Sequence, residues 1–366
     1  MKMIATAPFS MEKPVRLQLE HLQIPVTEVT EGHVCFEGND EIAAKACVNL
    51  RAADRVLWEI TSFTAKTFDE LFDGVKRVNW AEILPKDARI HVSAKCTRSQ
   101  LMSVPDTARI TKMAIVKAMQ QKTGVSRLPE TGTEYPIEVH IQKDVVSVTL
   151  DLCGTSLHKR GYRVKNAAAP LRETFAAGLL DVAGYRGNTP FCDAFCGSGT
   201  LVIEAAMIAA HIAPGAERTF ACEAYKNFRK SVFDRERQAA KAAVRECTVP
   251  IFGADIDPEM AEMTRFHARR AGVEDLITIS VCRAGENVPQ AESGLLLSNP
   301  PYGERLGDKN SMRLLCGETR TLLDRFSGWD RYLLSGYPTL EKEIGLHAVK
   351  TRRYYNGNIE CNLYRF

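Results

Sequence analysis

The chain of 366 residues contains eleven cysteines, an odd number, and no two of them form a Cys-x-x-Cys pair. Neither a disulfide framework nor a zinc site is expected, and the thiols read as reduced, in a cytoplasmic setting. Long apolar runs are missing as well. Stretches such as Leu295–Leu297 fall far short of the roughly 18 residues needed to cross a bilayer. Residues Met1 to Pro14 lack a secretory signal's apolar core, so neither membrane insertion nor export is expected. His-Glu-x-x-His, Gly-x-Ser-x-Gly and a clear metal-ligand cluster are all absent, so no metal is expected. An excess of one charge is absent too, the net being only +3. What is present is ordinary: 45% apolar and 25% charged residues exclude collagen-like and wholly disordered classes. At about 150 residues per domain, the length fits two or three domains.

The small net charge is unevenly spread. Residues 1–65 carry 6 basic and 9 acidic side chains, residues 66–165 carry 17 and 11, and residues 166–366 carry 25 of each. The positive excess lies in the middle, where a polyanion would bind.

Residues 1–65 read as a small α+β unit. A strand at 3–7 is followed by a helix from Glu12 to Leu22, a strand pair around Glu31-Gly32, a helix capped by Asn39 or Asp40, and a strand Val56–Phe63. Residues 66–158 read as a second α+β unit. It has a helix Phe68–Val75, a strand Ile90–Ala94, and a helix with Asp106 as N-cap that ends at Gly124. A hairpin then turns at Lys143-Asp144. From 159 to 366 strands and helices alternate, which predicts a mainly parallel sheet wrapped in helices. The first helix of that part is expected over Ala167–Ala183.

Two motifs in the last part carry chemistry. Asp193-Ala194-Phe195-Cys196-Gly197-Ser198-Gly199-Thr200 follows a strand and opens a helix, and its two glycines allow a tight turn close to a ligand. No Lys follows, so this is not a phosphate-gripping loop. Asp193 suits a ligand with an ammonium group. The next strand ends at Asp255-Ile256-Asp257-Pro258, where Asp255 suits ribose hydroxyls and Asp257 suits helix capping. The spacing from Gly199 to Asp255 is 56 residues rather than the usual ~20; residues 213–245 are the expected insertion.

Ser298-Asn299-Pro300-Pro301-Tyr302-Gly303 is the sharper motif. Paired prolines fix the backbone and remove two N–H donors. The carbonyls and the Asn299 side-chain oxygen are left to accept both hydrogens of an exocyclic base amine, and Tyr302 to stack on the base. Holding both hydrogens aims the nitrogen lone pair at an electrophilic methyl group. The base must be single-stranded or flipped out to reach such a site.

These residues resemble the THUMP-domain class of S-adenosylmethionine-dependent RNA methyltransferases, and most closely the bacterial RlmL type, which makes N2-methylguanosine in 23S rRNA. Seven blocks match in order: Thr67–Val75, Ser156–Arg163, Ala169–Thr174, Phe195–Thr200, Ile203–Met207, Asp255–Pro258 and Asn299–Leu306. The resemblance implies a ferredoxin-like unit, a THUMP RNA-binding unit and a Rossmann-like α/β methyltransferase domain. It implies S-adenosylmethionine as cofactor, held by Ala169, Pro170, Leu171, Asp193, Phe195, Gly197, Gly199, Thr200, Asp255, Ile256 and Asn299. Asn299, Pro300, Pro301 and Tyr302 would be catalytic. Lys95, Arg98, Lys112, Lys159 and Arg160 would face RNA, 23S rRNA first and tRNA second. The family's adenine-binding Asp is absent after Val281, where Cys282-Arg283-Ala284-Gly285-Glu286 stands instead, so adenine would fall to backbone or to Glu286. Alternatives are a tRNA guanine-N2 methyltransferase, an adenine-N6 DNA methyltransferase, and a non-catalytic RNA-binding ribosome-assembly factor.

Overall fold

The structure is a computed structural model that describes residues 1–164, 170–301, 309–357 and 359–366. Its fourteen described strands are β1 (Lys2–Thr6), β2 (Val26–Thr30), β3 (His33–Glu37), β4 (Arg55–Thr64), β5 (Arg89–Thr97), β6 (Glu134–Gln142), β7 (Val145–Asp151), β8 (Phe191–Asp193), β9 (Ile251–Asp255), β10 (Ile277–Val281), β11 (Leu295–Ser298), β12 (Asp330–Ser335), β13 (Lys350–Asn356) and β14 (Ile359–Arg365). They form two seven-stranded sheets, ordered β2-β3-β1-β4-β7-β6-β5 and β10-β9-β8-β11-β12-β14-β13.

The first sheet is antiparallel except for the parallel β5–β6 pair, and it runs without a break from the first α+β unit into the second through β4. That strand is ten residues long. It pairs with β1 over Arg55–Glu59 and with β7 over Leu57–Thr64, with a bulge between Glu59 and Thr61. Alternation puts Met3, Ala5, Val34, Phe36, Val139 and Val148 into one buried core. Helices here carry their expected signals. Asn39 caps Asp40–Asn49, and Thr67 with Glu70 forms a capping box for Phe68–Lys76. The 20-residue helix Val104–Thr123 is capped by Ser103 instead of Asp106. Pro105 fits within the first turn, and with the cap at Ser103 the start lies three residues upstream of the expected one, so that the Asp106 amide donates to the Ser103 hydroxyl at 3.4 Å.

The second sheet has β10, β9, β8, β11 and β12 parallel, with β14 inserted antiparallel beside β12. Strand order reverses between β8 and β11, the place where open α/β sheets bind ligands at their C-terminal strand ends. Among the described residues, the helix expected over Ala167–Ala183 covers only Glu173–Val182. Pro170 disfavours helix in what precedes it, and residues 167–169 lie outside the described set. The edge strand β13 was not expected, because Lys350-Thr351-Arg352-Arg353 has no apolar alternation.

The insertion joins the core of the first two units and leaves the second sheet. Cys222, Tyr225, Phe228, Val232 and Phe233 are buried with the residues of the first sheet. Tyr225 stacks on Tyr135 at 4.4 Å, and Arg229 grips Asp40 at 2.7 and 2.8 Å.

Arg160 is the main departure from the expected RNA face. It is 8% exposed and paired with the fully buried Glu204 at 3.4 Å, and it also donates to the carbonyls of Leu157 and Arg51. Tyr162 donates to the same carboxylate at 3.3 Å. A cation so enclosed is a joint between units and faces no polyanion. Removing one member of a buried pair strands the other charge. Glu204→Ala is therefore expected to destabilise the protein by about 3 to 5 kcal/mol, read as a lowered urea midpoint, while Lys159→Ala, at an exposed site, leaves it unchanged.

Candidate functional site

A cavity of about 660 Å³ lies at the C-terminal ends of β8, β9 and β11, against the helix Lys309–Arg325. Its lining includes Pro170, Leu171, Asp193, Phe195, Gly197, Thr200, Asp255, Ile256, Asn299 and Pro301, ten of the expected residues. Gly199 and Pro300 stand behind the lining. Ala169 and Tyr302 lie outside the described residues.

The glycine loop is pinned from several sides. The Gly197 amide donates to Asp255 Oδ2 at 2.8 Å, and the Cys196 amide to the Ala254 carbonyl at 2.9 Å. The Thr264 hydroxyl donates to the Gly197 carbonyl at 2.7 Å, and His267 Nδ1 lies 3.0 Å from the Ser198 carbonyl. Arg163, itself paired with Glu173 at 2.8 Å, reaches the hydroxyls of Ser198 and Thr200. Gly197 has φ +54, and a Cβ there would meet nothing within 4 Å. It opens on the cavity, so a side chain would intrude into ligand space. Gly199 has φ +88 and a Cβ on it would lie 2.7 Å from Thr264; its role is packing, which explains its place behind the lining.

Asp193 ends β8 and is 1% exposed. The Phe195 amide donates to its Oδ1 at 3.1 Å, and it is also bonded to the Ser298 hydroxyl. Burial is the main cause that pushes its carboxyl up to about 7; these two bonds oppose the rise and the charge of Asp255 adds to it. Asp255 accepts from the amides of Gly197 and Asp257, the latter at 3.0 Å. A carboxylate has about four acceptor positions, so two remain for hydroxyls. Asp257 caps the helix Pro258–Ala271 through the Glu259 amide at 2.8 Å, as its sequence position implies.

Asn299 follows β11. Its side-chain oxygen is buried and has no hydrogen-bond partner among the described residues. An acceptor kept from water without a donor is costly, and this one lines the cavity.

Leu314 and Glu318 line the cavity without any sequence signal, beside the expected Ile256. Ile256 is 58% exposed and Leu314 67%, two apolar side chains open to the cavity in the manner of walls for a flat ring. Arg283 and Glu318 pair at 2.7 Å on its margin. Glu286, the candidate for the adenine amine, does not line the cavity. Its carboxylate accepts from the Arg283 amide at 3.0 Å and closes a one-turn capping box, which leaves the backbone of this segment as the alternative. Of the expected RNA contacts, Lys95, Arg98 and Lys159 are exposed, while Lys112 is half-buried and held by Glu130 at 2.9 Å.

Three family models match the chain: an RlmL ferredoxin-like domain over residues 2–57, a THUMP domain over 65–151, and an RMKL-like methyltransferase domain over 160–365. The Bacillus subtilis (strain 168) protein named "Putative RNA methyltransferase YpsC" is 38% identical over 100% of this chain and 95% of its own. The Syntrophotalea carbinolica ribosomal RNA large subunit methyltransferase K/L is 35% identical over 100% of this chain and 53% of its own. The chain thus spans about half the length of the K/L relatives it matches. The crystal structure of SMU.472 complexed with SAH superposes with a TM-score of 0.94 at 37% identity, covering 100% of this chain and 97% of that one.

Because the folded carboxyl of Asp193 titrates well above an ordinary 3.8, its folded-state ionisation costs stability that an unfolded aspartate does not lose. That cost grows as pH rises from about 4 to about 7 and then levels off. Asp193→Asn is expected to remove this fall and to raise the thermal midpoint of the ligand-free protein at pH 8. The ceiling is about 4 kcal/mol, at 1.36 kcal/mol for each pH unit. Thermal melts of both proteins at pH 5 and pH 8 check it.

Proposed function

Since the chain belongs to the RMKL-like methyltransferase family and carries the RlmL ferredoxin-like and THUMP domains, we propose that it methylates the exocyclic N2 amine of a guanine in 23S rRNA. It is an S-adenosylmethionine-dependent RNA methyltransferase of the RlmK/L family; the base, the atom and the RNA are our reading. We also propose the division into residues 1–65, 66–158 and 159–366 for its three units, with the insertion docked on the first two. No described helix is long and apolar enough to cross a membrane.

The observation that carries the reading is the buried Asn299 oxygen, without a hydrogen-bond partner among the described residues, beside the cavity that also holds Asp193 and Asp255. The residues present fit that cofactor. Asp193 offers a buried carboxylate to the ammonium, and Gly197 keeps the loop open for the methionine end. Asp255 has acceptor positions left for the ribose hydroxyls. Ile256 and Leu314 flank the place of the base. When bound, S-adenosylmethionine supplies an electrophilic methyl group.

The protein's own contribution is positional. Asn299 accepts one hydrogen of the target amine, and the following prolines leave backbone carbonyls free for the other. The lone pair, otherwise delocalised into the ring, is then turned toward the methyl carbon. Tyr302, in our reading, stacks on the flipped base. The exposed cations Lys95, Arg98 and Lys159 would follow the RNA backbone.

Two outcomes check the site. Asn299→Ala should lower tritium transfer from S-adenosylmethionine into 23S rRNA by about 100-fold or more, with cofactor and RNA binding retained. Full turnover in that variant would remove the amine clamp, and label recovered as another nucleoside, or in tRNA or duplex DNA instead, would replace the substrate. Separately, calorimetric titration with S-adenosylmethionine should show affinity falling about tenfold per pH unit below pH 7 as Asp193 protonates, a dependence that Asp193→Asn abolishes together with most of the affinity.

A further inference from the structure

The first sheet curls until two distant strands touch. His33 is on β3 and His140 on β6, and β1, β4 and β7 lie between them in the sheet order. At a strand spacing of about 4.8 Å, four steps across a flat sheet would span roughly 19 Å. Their ring centroids are 5.9 Å apart and edge to face at 73°. The bulge in β4 between Glu59 and Thr61 is where such a bend is made.

Register puts the pair on the face opposite the main core. Cys35, two residues along β3 from His33, packs with Ile4 and Leu57 in a small separate apolar cluster. His140 stands directly opposite Ser147 on β7 and Lys95 on β5. Lys95 is exposed and has no ion-pair partner among the described residues. The acids nearby are engaged. Glu59 is paired with Lys2 at 2.6 Å, and Glu12 accepts the Gly32 amide at 2.8 Å. Burial, with Lys95 second, holds His33 below its ordinary pKa against the pull of Glu59 and Glu12. Burial, with His33 and then Lys95, does the same to His140. What remains is one patch with two half-buried imidazoles held below their ordinary pKa beside an ammonium that has no ion-pair partner among the described residues.

We propose that His33, His140 and Lys95 form a subsite for a backbone phosphate of the RNA, so that the ferredoxin-like unit shares the binding surface with the THUMP unit. The proposal rests on the RNA reading above. Lys95 supplies the standing charge, and each imidazole donates an N–H to the phosphate oxygens. The anion favours the protonated rings, so binding takes up protons and strengthens as pH falls. Glu59 stays with Lys2, and Glu12 stays with the Gly32 amide.

The test uses the full chain and a 23S rRNA transcript, with filter binding at pH 8, 7 and 6 at fixed ionic strength and a salt series at pH 6.5. Affinity of the unaltered protein should rise about threefold or more per pH unit lowered. His33→Asn and His140→Asn should each flatten that slope while leaving S-adenosylmethionine binding unchanged. His33→Gln and His140→Gln serve if the Asn variants fail to fold. Lys95→Gln should reduce the slope of log affinity against log salt by about 0.7 to 0.9, one phosphate's share. In NMR titrations, the imidazole signals of His33 and His140 should shift to higher pKa when the transcript is added. If the variants keep the parent's pH slope and lose only thermal stability, the ring contact is structural and the proposal falls. If the unaltered protein binds no RNA, the substrate reading falls first and this proposal with it.

Discussion

Asp193 loses its water on folding and gains little in return: one amide hydrogen bond from Phe195 and the hydroxyl of Ser298. That imbalance governs the rest of the site. The carboxyl is held at the end of β8 by β9 on one side and β11 on the other, so it cannot swing out to solvent. Ser298 holds both the Ala194 amide, at 2.9 Å, and the acid, and so fixes the position of Asn299 one residue later. The glycine loop leaves β8 through the left-handed Gly197, and Asp193 and Gly197 together face the cavity. A cationic ligand restores what folding removed. Affinity is thereby concentrated at one buried charge, where it is least screened.

The loop stays in place because residues far apart in sequence meet beneath it. Arg163 ties the loop hydroxyls to Glu173, and three residues earlier Arg160 meets Glu204, one turn further along the same face of the helix Thr200–Ala209. Residues 160–163 therefore both link the units and support the glycine loop from behind. Arg51 strengthens the same joint. It is half-buried, its pKa is lowered to about 10 by desolvation, and it donates to the Ile212 carbonyl at 2.7 Å. A change at this joint reaches the glycine loop through a single turn of chain.

Much of this was legible in the sequence, for physical reasons. The glycine loop, the Asp-Pro cap at 257–258 and the Asn-Pro-Pro turn each impose a backbone that few other residues allow, so local sequence reveals them. Tertiary burial reveals nothing locally. Arg160 and Lys159 are adjacent basic residues in one motif, yet one is sealed against Glu204 and the other is exposed. The difference lies in a partner 44 residues away. One wall of the cavity was hidden likewise: Leu314 gains meaning only when the helix Lys309–Arg325 is laid across the strand ends, whereas Ile256 was already marked by the Asp255–Pro258 block. The insertion was visible as extra length, while its attachment to the first core was not. That attachment depends on Tyr135, Asp40 and Trp58 recognising Tyr225, Arg229 and Phe228.

The two costly groups of the site, Asp193 and Asn299, stand at the ends of β8 and β11, neighbouring parallel strands about 5 Å apart. On one side lies an acid waiting for a cation, and on the other an acceptor waiting for an N–H. Any ligand that satisfied only one would leave the second buried and unpaired. Binding energy is best realised when both are filled, which requires a methyl donor and a base amine to be present side by side. The fold's reversal of strand order opens the crevice there, and in the proposed reading these two groups favour the methyl donor and the base amine being bound together. In the proposed reading, catalysis of methyl transfer is positional, and the same two groups, Asp193 and Asn299, hold the two reactants in line.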